Sequence, residues 1–210
     1  MAPRRRSALI VLDGPDGCGK STQAARLVAS LRREGRRVVH VREPGGTRLG
    51  EKIRRILLDP KGGRRSARAE ALLYVAARAE LVDERIAPAL RRGAIVVSER
   101  FSSATIVYQG LAGGVGAVGV EAIDAFARDG VEPDLTIVLD LPPETGLARV
   151  VRARARDRME RLPLAYHRRV RRGFLAWARA RGRKAVVVDA DRDADLVARD
   201  VRAEVARALR

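Results

Sequence analysis

The sequence predicts an α/β fold in three layers: a five-stranded parallel sheet with helices on both faces. Three observations carry that expectation. Five short runs, at 8–12, 38–41, 94–97, 135–139 and 185–188, are apolar, rich in β-branched residues and not alternating. Strands read this way when helices cover both their faces. Long amphipathic stretches lie between the runs, so strand and helix alternate along the chain. Gly35 and Gly93 stand where helices should stop, because glycine takes a left-handed C-cap without steric cost.

In chain order, Ala8-Leu9-Ile10-Val11-Leu12 is the first strand, and the helix after it, about 20–34, closes at Gly35. Val38-Val39-His40-Val41 is the second, followed by helices at about 48–58 and 66–91, the latter ending before Gly93. Ala94-Ile95-Val96-Val97 is the third strand. Gly113-Gly114-Val115-Gly116 then makes a surface loop or a short break before a helix at about 119–129. Leu135-Thr136-Ile137-Val138-Leu139 is the fourth strand, with helices at about 143–156 and 160–181 behind it. Ala185-Val186-Val187-Val188 and a helix at about 193–208 close the chain. There is no internal repeat and no low-complexity linker. Parallel sheets collect ligands at the C-terminal ends of their strands. Functional residues should therefore follow the runs, as Asp13-Gly14, Arg42-Glu43-Pro44-Gly45-Gly46 and Ser98-Glu99-Arg100 do.

A length of 210 residues suits one domain over 1–210. With 46% hydrophobic residues, a mean hydropathy of -0.19 and no apolar run near the roughly 20 residues of a membrane span, a soluble protein is expected. The stretch Met1-Ala2-Pro3-Arg4-Arg5-Arg6 is basic, but the apolar run after it is too short for a secretory signal core, so a cytoplasmic location is expected. The single cysteine, Cys18, excludes an internal disulfide framework, and two histidines argue against a Cys/His metal centre. The net charge of +17 should attract polyanions, nucleotides and phosphorylated substrates. The arginines are dispersed, however, and a GC-rich genome would supply them equally well. Aromatics at 3% are poor for stacking single-stranded bases. No specific nucleic-acid or membrane partner is expected.

Gly14-Pro15-Asp16-Gly17-Cys18-Gly19-Lys20-Ser21 reads G-x-x-x-x-G-K-S, directly after a predicted strand and opening a predicted helix. That context makes it a phosphate-binding loop, and the fold a P-loop NTPase fold. Glycines let backbone N–H groups wrap a phosphate, and the helix N-terminus adds a favourable dipole. Lys20 would reach the β- and γ-phosphates, and the Ser21 hydroxyl would ligate Mg²⁺. Thr22 extends the ATP-binding set, and Cys18 is a small loop residue rather than a nucleophile. A GTPase needs a base-reading N-K-x-D, which is absent. A motor or transporter ATPase needs more chain, so a small kinase is the natural reading.

Three more clusters complete the pattern: Arg42-Glu43-Pro44-Gly45-Gly46-Thr47 with Arg54; Leu72-Leu73-Tyr74-Val75-Ala76-Ala77-Arg78; and Glu99-Arg100-Phe101 with Thr105, Tyr108, Gln109 and Gly110. With the phosphate loop, in this order, they resemble the bacterial thymidylate kinases from residue 8 to about 200. R-E-P-G-G-T is the most specific piece. The chemistry fits a nucleoside monophosphate acceptor. Arg54 and Arg100 offer planar forks to a dianionic phosphate. Tyr74 and Arg78, four apart, share a helix face, so a ring can stack on a pyrimidine while the guanidinium donates to thymine O4. The resemblance assigns these roles, and further implies that Asp16 binds the 3′-hydroxyl, that Thr105 and Gln109 line the base pocket, that Tyr108 crowds out a 2′-hydroxyl and that Glu43 lies near the acceptor. It also implies Mg²⁺, ATP as co-substrate and a homodimer. Glu99 stands where the family has aspartate. It keeps the charge with one more methylene, and can hold Mg²⁺ or position Arg100.

Residues 149–183 hold thirteen arginines against Asp157 and Glu160. Such a run can be a solvated face. Phosphoryl transfer, however, needs cationic donors beyond a lysine and a metal, and this phosphate loop has no arginine. Thymidylate kinases without one there supply it from a mobile lid, and the resemblance implies a short Arg-rich lid at about 149–162. Arg154, Arg156 and Arg158 are its candidates. Arg149 is expected to stack on adenine, beside the loop Asp189-Ala190-Asp191. The alternatives are another nucleoside or nucleotide P-loop kinase, or a P-loop nucleic-acid-binding ATPase, which DNA-stimulated hydrolysis without monophosphate turnover would reveal.

Overall fold

The computed structural model describes residues 7–210; the basic stretch at 1–6 lies outside them. All five strands form where the apolar runs lie: β1 Ala8–Asp13, β2 Val38–Arg42, β3 Ile95–Glu99, β4 Leu135–Asp140 and β5 Ala185–Asp189. They make one parallel sheet in the order β2-β3-β1-β4-β5. The helices are α1 Lys20–Arg33, α2 Arg48–Leu58, α3 Ala67–Leu81, α4 Ala87–Arg91, α5 Ser102–Thr105, α6 Ala117–Arg128, α7 Pro143–Ala153, α8 Leu164–Arg181 and α9 Ala194–Ala208. Alternate residues of β1 serve the two faces, as the period of two requires. Ala8, Ile10 and Leu12 pack with Leu27 and Leu31 of α1 and Val197 and Val201 of α9. Leu9 and Val11 pack with Leu81, Ile86 and Ala89 on the other side. Tyr166, Val170 and Phe174 of α8 extend that second layer over Val138. No helix among the described residues is long and apolar enough to cross a membrane.

Two departures from the expected elements have physical causes. The helix expected at 66–91 is interrupted by a π-helical turn at Val82–Ile86, where one extra residue per turn lets Val82 and Ile86 stay buried. The stretch after β3 carried no helical period, yet α5 forms and runs into a π-helical segment, Ile106–Ala112. Every residue from 101 to 110 is buried, so there is no polar face to make a period visible. Elsewhere only the ends moved. Thr47 and Ser66 cap α2 and α3 by accepting from Gly50 and Ala69 N–H groups. α7 stops at Ala153, and α8 begins after Pro163.

The strand register sets the site. Leu12 pairs with Glu99, and Arg42 pairs with Glu99 on the other side. β1, β2 and β3 therefore end level. Just beyond, Arg100 has φ 70, a left-handed conformation uncommon for any residue other than glycine. It is held by its N–H to the Leu12 carbonyl at 2.9 Å and by the Ser98 hydroxyl donating to its own carbonyl at 2.7 Å. That turn aims the guanidinium back over β1.

Candidate active site

One cavity of about 560 Å³ opens at these strand ends. Its wall brings together the phosphate loop from Asp16 to Thr22, Glu43, Arg54, Tyr74, Arg78, Glu99, Arg100, Thr105, Tyr108, Gln109, Arg149 and Arg154. Gly14, Pro15, Arg156 and Arg158 do not line it.

At the donor end, Lys20 lies across its own loop, its Nζ donating to the carbonyls of Gly14 at 3.0 Å and Pro15 at 2.7 Å. Gly19, in left-handed backbone, precedes α1 without a side-chain cap, so the first N–H groups of the helix are open to an anion. Burial pushes the Cys18 thiol up, away from the thiolate form. A residue absent from the sequence reading fixes the loop from behind. A Cβ on Gly146 of α7 would sit 2.2 Å from the Asp16 carbonyl oxygen, and one on Gly17 2.0 Å from the Gly146 carbonyl oxygen. Backbone packs on backbone there. Gly146→Ala should cost roughly 1–3 kcal/mol of overpacking strain, released by displacing the loop. The check is nucleotide titration: weakened ATP binding is expected, and an unchanged affinity would mean that α7 yields instead.

Ser21 and Glu99 meet beside Lys20, the hydroxyl donating to Glu99 Oε2. Glu99 Oε1 lies 3.0 Å from His40 Nε2 on β2. Burial opposes its charge, but the His40 and Ser21 contacts prevail and hold the carboxyl below the usual range.

At the other end, Arg100 donates to Asp16 Oδ1 at 2.5 Å, with its guanidinium 4.9 Å from the Tyr108 ring centre. Burial raises the Asp16 carboxyl, yet Arg100 and Lys20 hold it low overall. Arg54 donates to the Pro44 carbonyl at 2.8 Å. Arg78 is 1% exposed. Its Nε donates to Glu43 Oε2 at 2.9 Å, its two terminal nitrogens to Asp124 Oδ1 at 2.6 Å and to Thr105 Oγ1 at 3.0 Å. Arg128 donates to the other Asp124 oxygen at 2.8 Å. Sequence reasoning missed Asp124. Its signal was an acid on the inner stripe of α6, in step with buried Val120 and Ala127.

Burial pushes the Glu43 carboxyl up to about 7 from 4.5, against the pull of Arg78. A folded-state value above the unfolded one contributes stability that is whole below about pH 4.5 and lost as pH rises through about 7. The melting temperature of the parent should therefore fall over this window more steeply than that of Glu43→Gln. Parallel profiles for the two proteins would refute the assignment.

The three lid candidates part company. Arg154, just past α7, makes a two-pronged contact with the Glu160 carboxylate at 2.9 and 2.6 Å and lines the cavity. Glu160 also accepts from the Asp157 N–H, while Asp157 accepts from the Glu160 N–H, a reciprocal cap that shapes the segment. Arg158 is turned away: its Nε donates to the Leu57 carbonyl at 2.9 Å and a terminal nitrogen to Glu70. Arg156 is exposed. Arg149 donates to the Ala190 carbonyl at 3.3 Å and lies 3.5 Å from Asp191.

Comparison with known proteins bears on the chain as a whole. The family model described as thymidylate kinase matches residues 12–201. The thymidylate kinase of Symbiobacterium thermophilum is 45% identical over 97% of this chain and 94% of the relative. That of Deinococcus radiodurans is 43% identical over 93% and 95%. A crystal structure of thymidylate kinase from Ehrlichia chaffeensis superposes with a TM-score of 0.78 at 28% identity, covering 95% of this chain and 99% of that one. The phosphate loop, the strand-end arginines and the matched length thus lead to one conclusion: the chain belongs to the thymidylate kinase family.

Proposed function

We propose that this protein transfers the γ-phosphoryl group of ATP to thymidine 5′-monophosphate, giving ADP and thymidine 5′-diphosphate, in a single domain over 1–210 with a lid at about 149–162. One observation carries the proposal: a single cavity runs from the phosphate loop to Arg54, Tyr74, Arg78 and Arg100. Donor and acceptor phosphates can face each other there without leaving the wall. Loop N–H groups and Lys20 hold the donor phosphates. Arg54 and Arg100 hold the acceptor phosphate, Asp16 the sugar hydroxyl, and Tyr74, Arg78, Thr105 and Gln109 surround the base, with Tyr108 against C2′. Arg149 covers adenine. The transfer is in line, and catalysis is positioning plus charge stabilisation.

Arg154 is the lid cation in this reading, with Glu160 aiming it. Arg156 and Arg158 play electrostatic and anchoring parts. The Ser21 hydroxyl and Glu99 carboxylate, brought together beside Lys20, are hard oxygen donors suited to Mg²⁺. When bound, the ion offsets charge on the donor phosphates. If Glu99 serves through its charge, Glu99→Asp should retain substantial activity while Glu99→Gln loses more than tenfold and needs more Mg²⁺ for half-maximal rate. Equal losses in the two would point to packing. The reading extends to a cytoplasmic location and to a homodimer, and only the second has a surface to support it. Ala71 of α3 packs on Val120 of α6, and beside them Leu72, Val118 (82% exposed) and Phe126 (89% exposed) stand out as an apolar face suited to a second copy.

A coupled assay across dTMP, dUMP, dCMP, UMP and AMP tests the activity. dTMP should have the highest kcat/KM. A preference for AMP or UMP, or hydrolysis stimulated by DNA with no monophosphate turnover, would overturn the reading.

A further inference from the structure

The base end of the cavity and the foot of the lid meet at a residue outside the machinery above. Glu70 lies in the first turn of α3 and is buried. Its Oε1 accepts from Gln109 Nε2 at 2.9 Å, and its Oε2 accepts from a terminal nitrogen of Arg158. Each contact determines something different. A carboxylate only accepts, so Gln109 must turn its amide nitrogen toward Glu70. The carbonyl oxygen is then the polar atom that Gln109 brings to the cavity wall. An acceptor base with an N–H at that place is favoured, and one with a lone pair there is repelled.

The second contact concerns the lid. Arg158 joins the lid to the body of the protein, its backbone N–H donating to the Leu58 carbonyl at 3.2 Å and its Nε to the Leu57 carbonyl at 2.9 Å. Glu70 supplies the opposing charge in a site where both side chains are less than one-fifth exposed, so the contact is stronger than a surface pair. Arg154, which lines the cavity, is four residues before this anchor. A single carboxylate therefore ties the amide that faces the base to the arginine that fixes the lid.

We propose that Glu70 is a positioning residue that couples acceptor binding to lid placement, orienting Gln109 with one oxygen and holding Arg158 with the other. A base that hydrogen-bonds Gln109 steadies Glu70, and through it Arg158. A base that displaces Gln109 loosens both. The coupling is reciprocal, so an ordered lid also favours the matching base. The inference rests on the proposed use of dTMP as acceptor.

Trypsin reports lid order directly, because the segment carries Arg152, Arg154, Arg156, Arg158 and Arg161. Cleavage there is followed by mass spectrometry with and without dTMP, alongside melting temperature and the dTMP-to-dCMP ratio of kcat/KM. In the parent, dTMP should slow lid cleavage about tenfold, within the usual span of coupling between sites. Glu70→Gln keeps the volume but replaces one of the two accepting oxygens by an amide nitrogen that donates. It should lose most of that protection and narrow the dTMP-to-dCMP ratio, with kcat falling more than KM. Gln109→Leu and Arg158→Lys leave Glu70 in place, guarding against a Glu70 variant that fails to fold. Gln109→Leu should abolish the protection, and Arg158→Lys should reduce it while preserving the base ratio. Parent lids unprotected by dTMP, or protection unchanged in the folded variants, would overturn the coupling. A parent that does not phosphorylate dTMP at all would instead remove the functional reading beneath it.

Discussion

Lys20→Ala is expected to abolish phosphoryl transfer and leave the fold standing. Lys20 is half-buried, and the bonds of its ammonium go to the carbonyls of Gly14 and Pro15 in its own loop, with the Cys18 sulfur at 3.4 Å. Of these only Cys18 belongs to a hydrophobic layer beside β1, and it meets Lys20 through its sulfur alone, so the melting temperature should change little. The loss at the site is different in kind. A positive group aimed at oxygens that gain charge during transfer acts where water is excluded, and deleting one such donor commonly costs about 10²–10³ in kcat. Single-turnover measurements at saturating ATP separate this from weakened binding. Turnover like the parent's would end the kinase reading, because no other described lysine lines the cavity.

The second large effect is expected at Arg154. Arg154→Ala should lower kcat by about 10³-fold or more, the scale of an arginine supplied to a transferring phosphoryl group in related P-loop enzymes. The KM for dTMP should change little, because the charge it meets develops only in the transition state. Arg152→Ala and Arg156→Ala, both at exposed positions, should stay within a few-fold of the parent. Arg158→Ala should fall between, since it removes an anchor rather than a cation at the reacting atoms. The four variants, compared at low and high salt, decide the matter. A shallow decline across all of them that salt erases would mean attraction of substrate by a basic surface.

The sequence exposed the frame of this site more readily than its wiring. β1, β3 and β4 are covered on both faces, and their unbroken β-branched runs say so. Once the sheet is parallel, the places of Gly14, Glu43 and Glu99 follow from strand direction. The helix after β3 was hidden because burial on all sides erases periodicity. The partners of known residues were hidden for another reason. Arg78 finds Asp124 46 residues away, and Arg158 finds Glu70 88 residues away. No local spacing encodes such a choice. The lid arginines were indistinguishable as letters. What separates them is the direction each takes after α7 ends, and that is set by Glu160, Asp157 and the carbonyls at the end of α2.

The contact of Gly17 with Gly146 ties two distant parts of the catalytic cycle to a common scale. α7 is seated on the phosphate loop near its beginning and releases the chain just before Arg154. At 1.5 Å per residue, its outer arm from Gly146 to Ala153 is about 10 Å long. Each residue of that arm also turns the helix by about 100°. The arm is thus a ruler and a dial at once: its length sets how far from the phosphates the next arginine emerges, and its phase sets on which side. One residue more or less within it would turn Arg154 by about 100° and part it from Glu160.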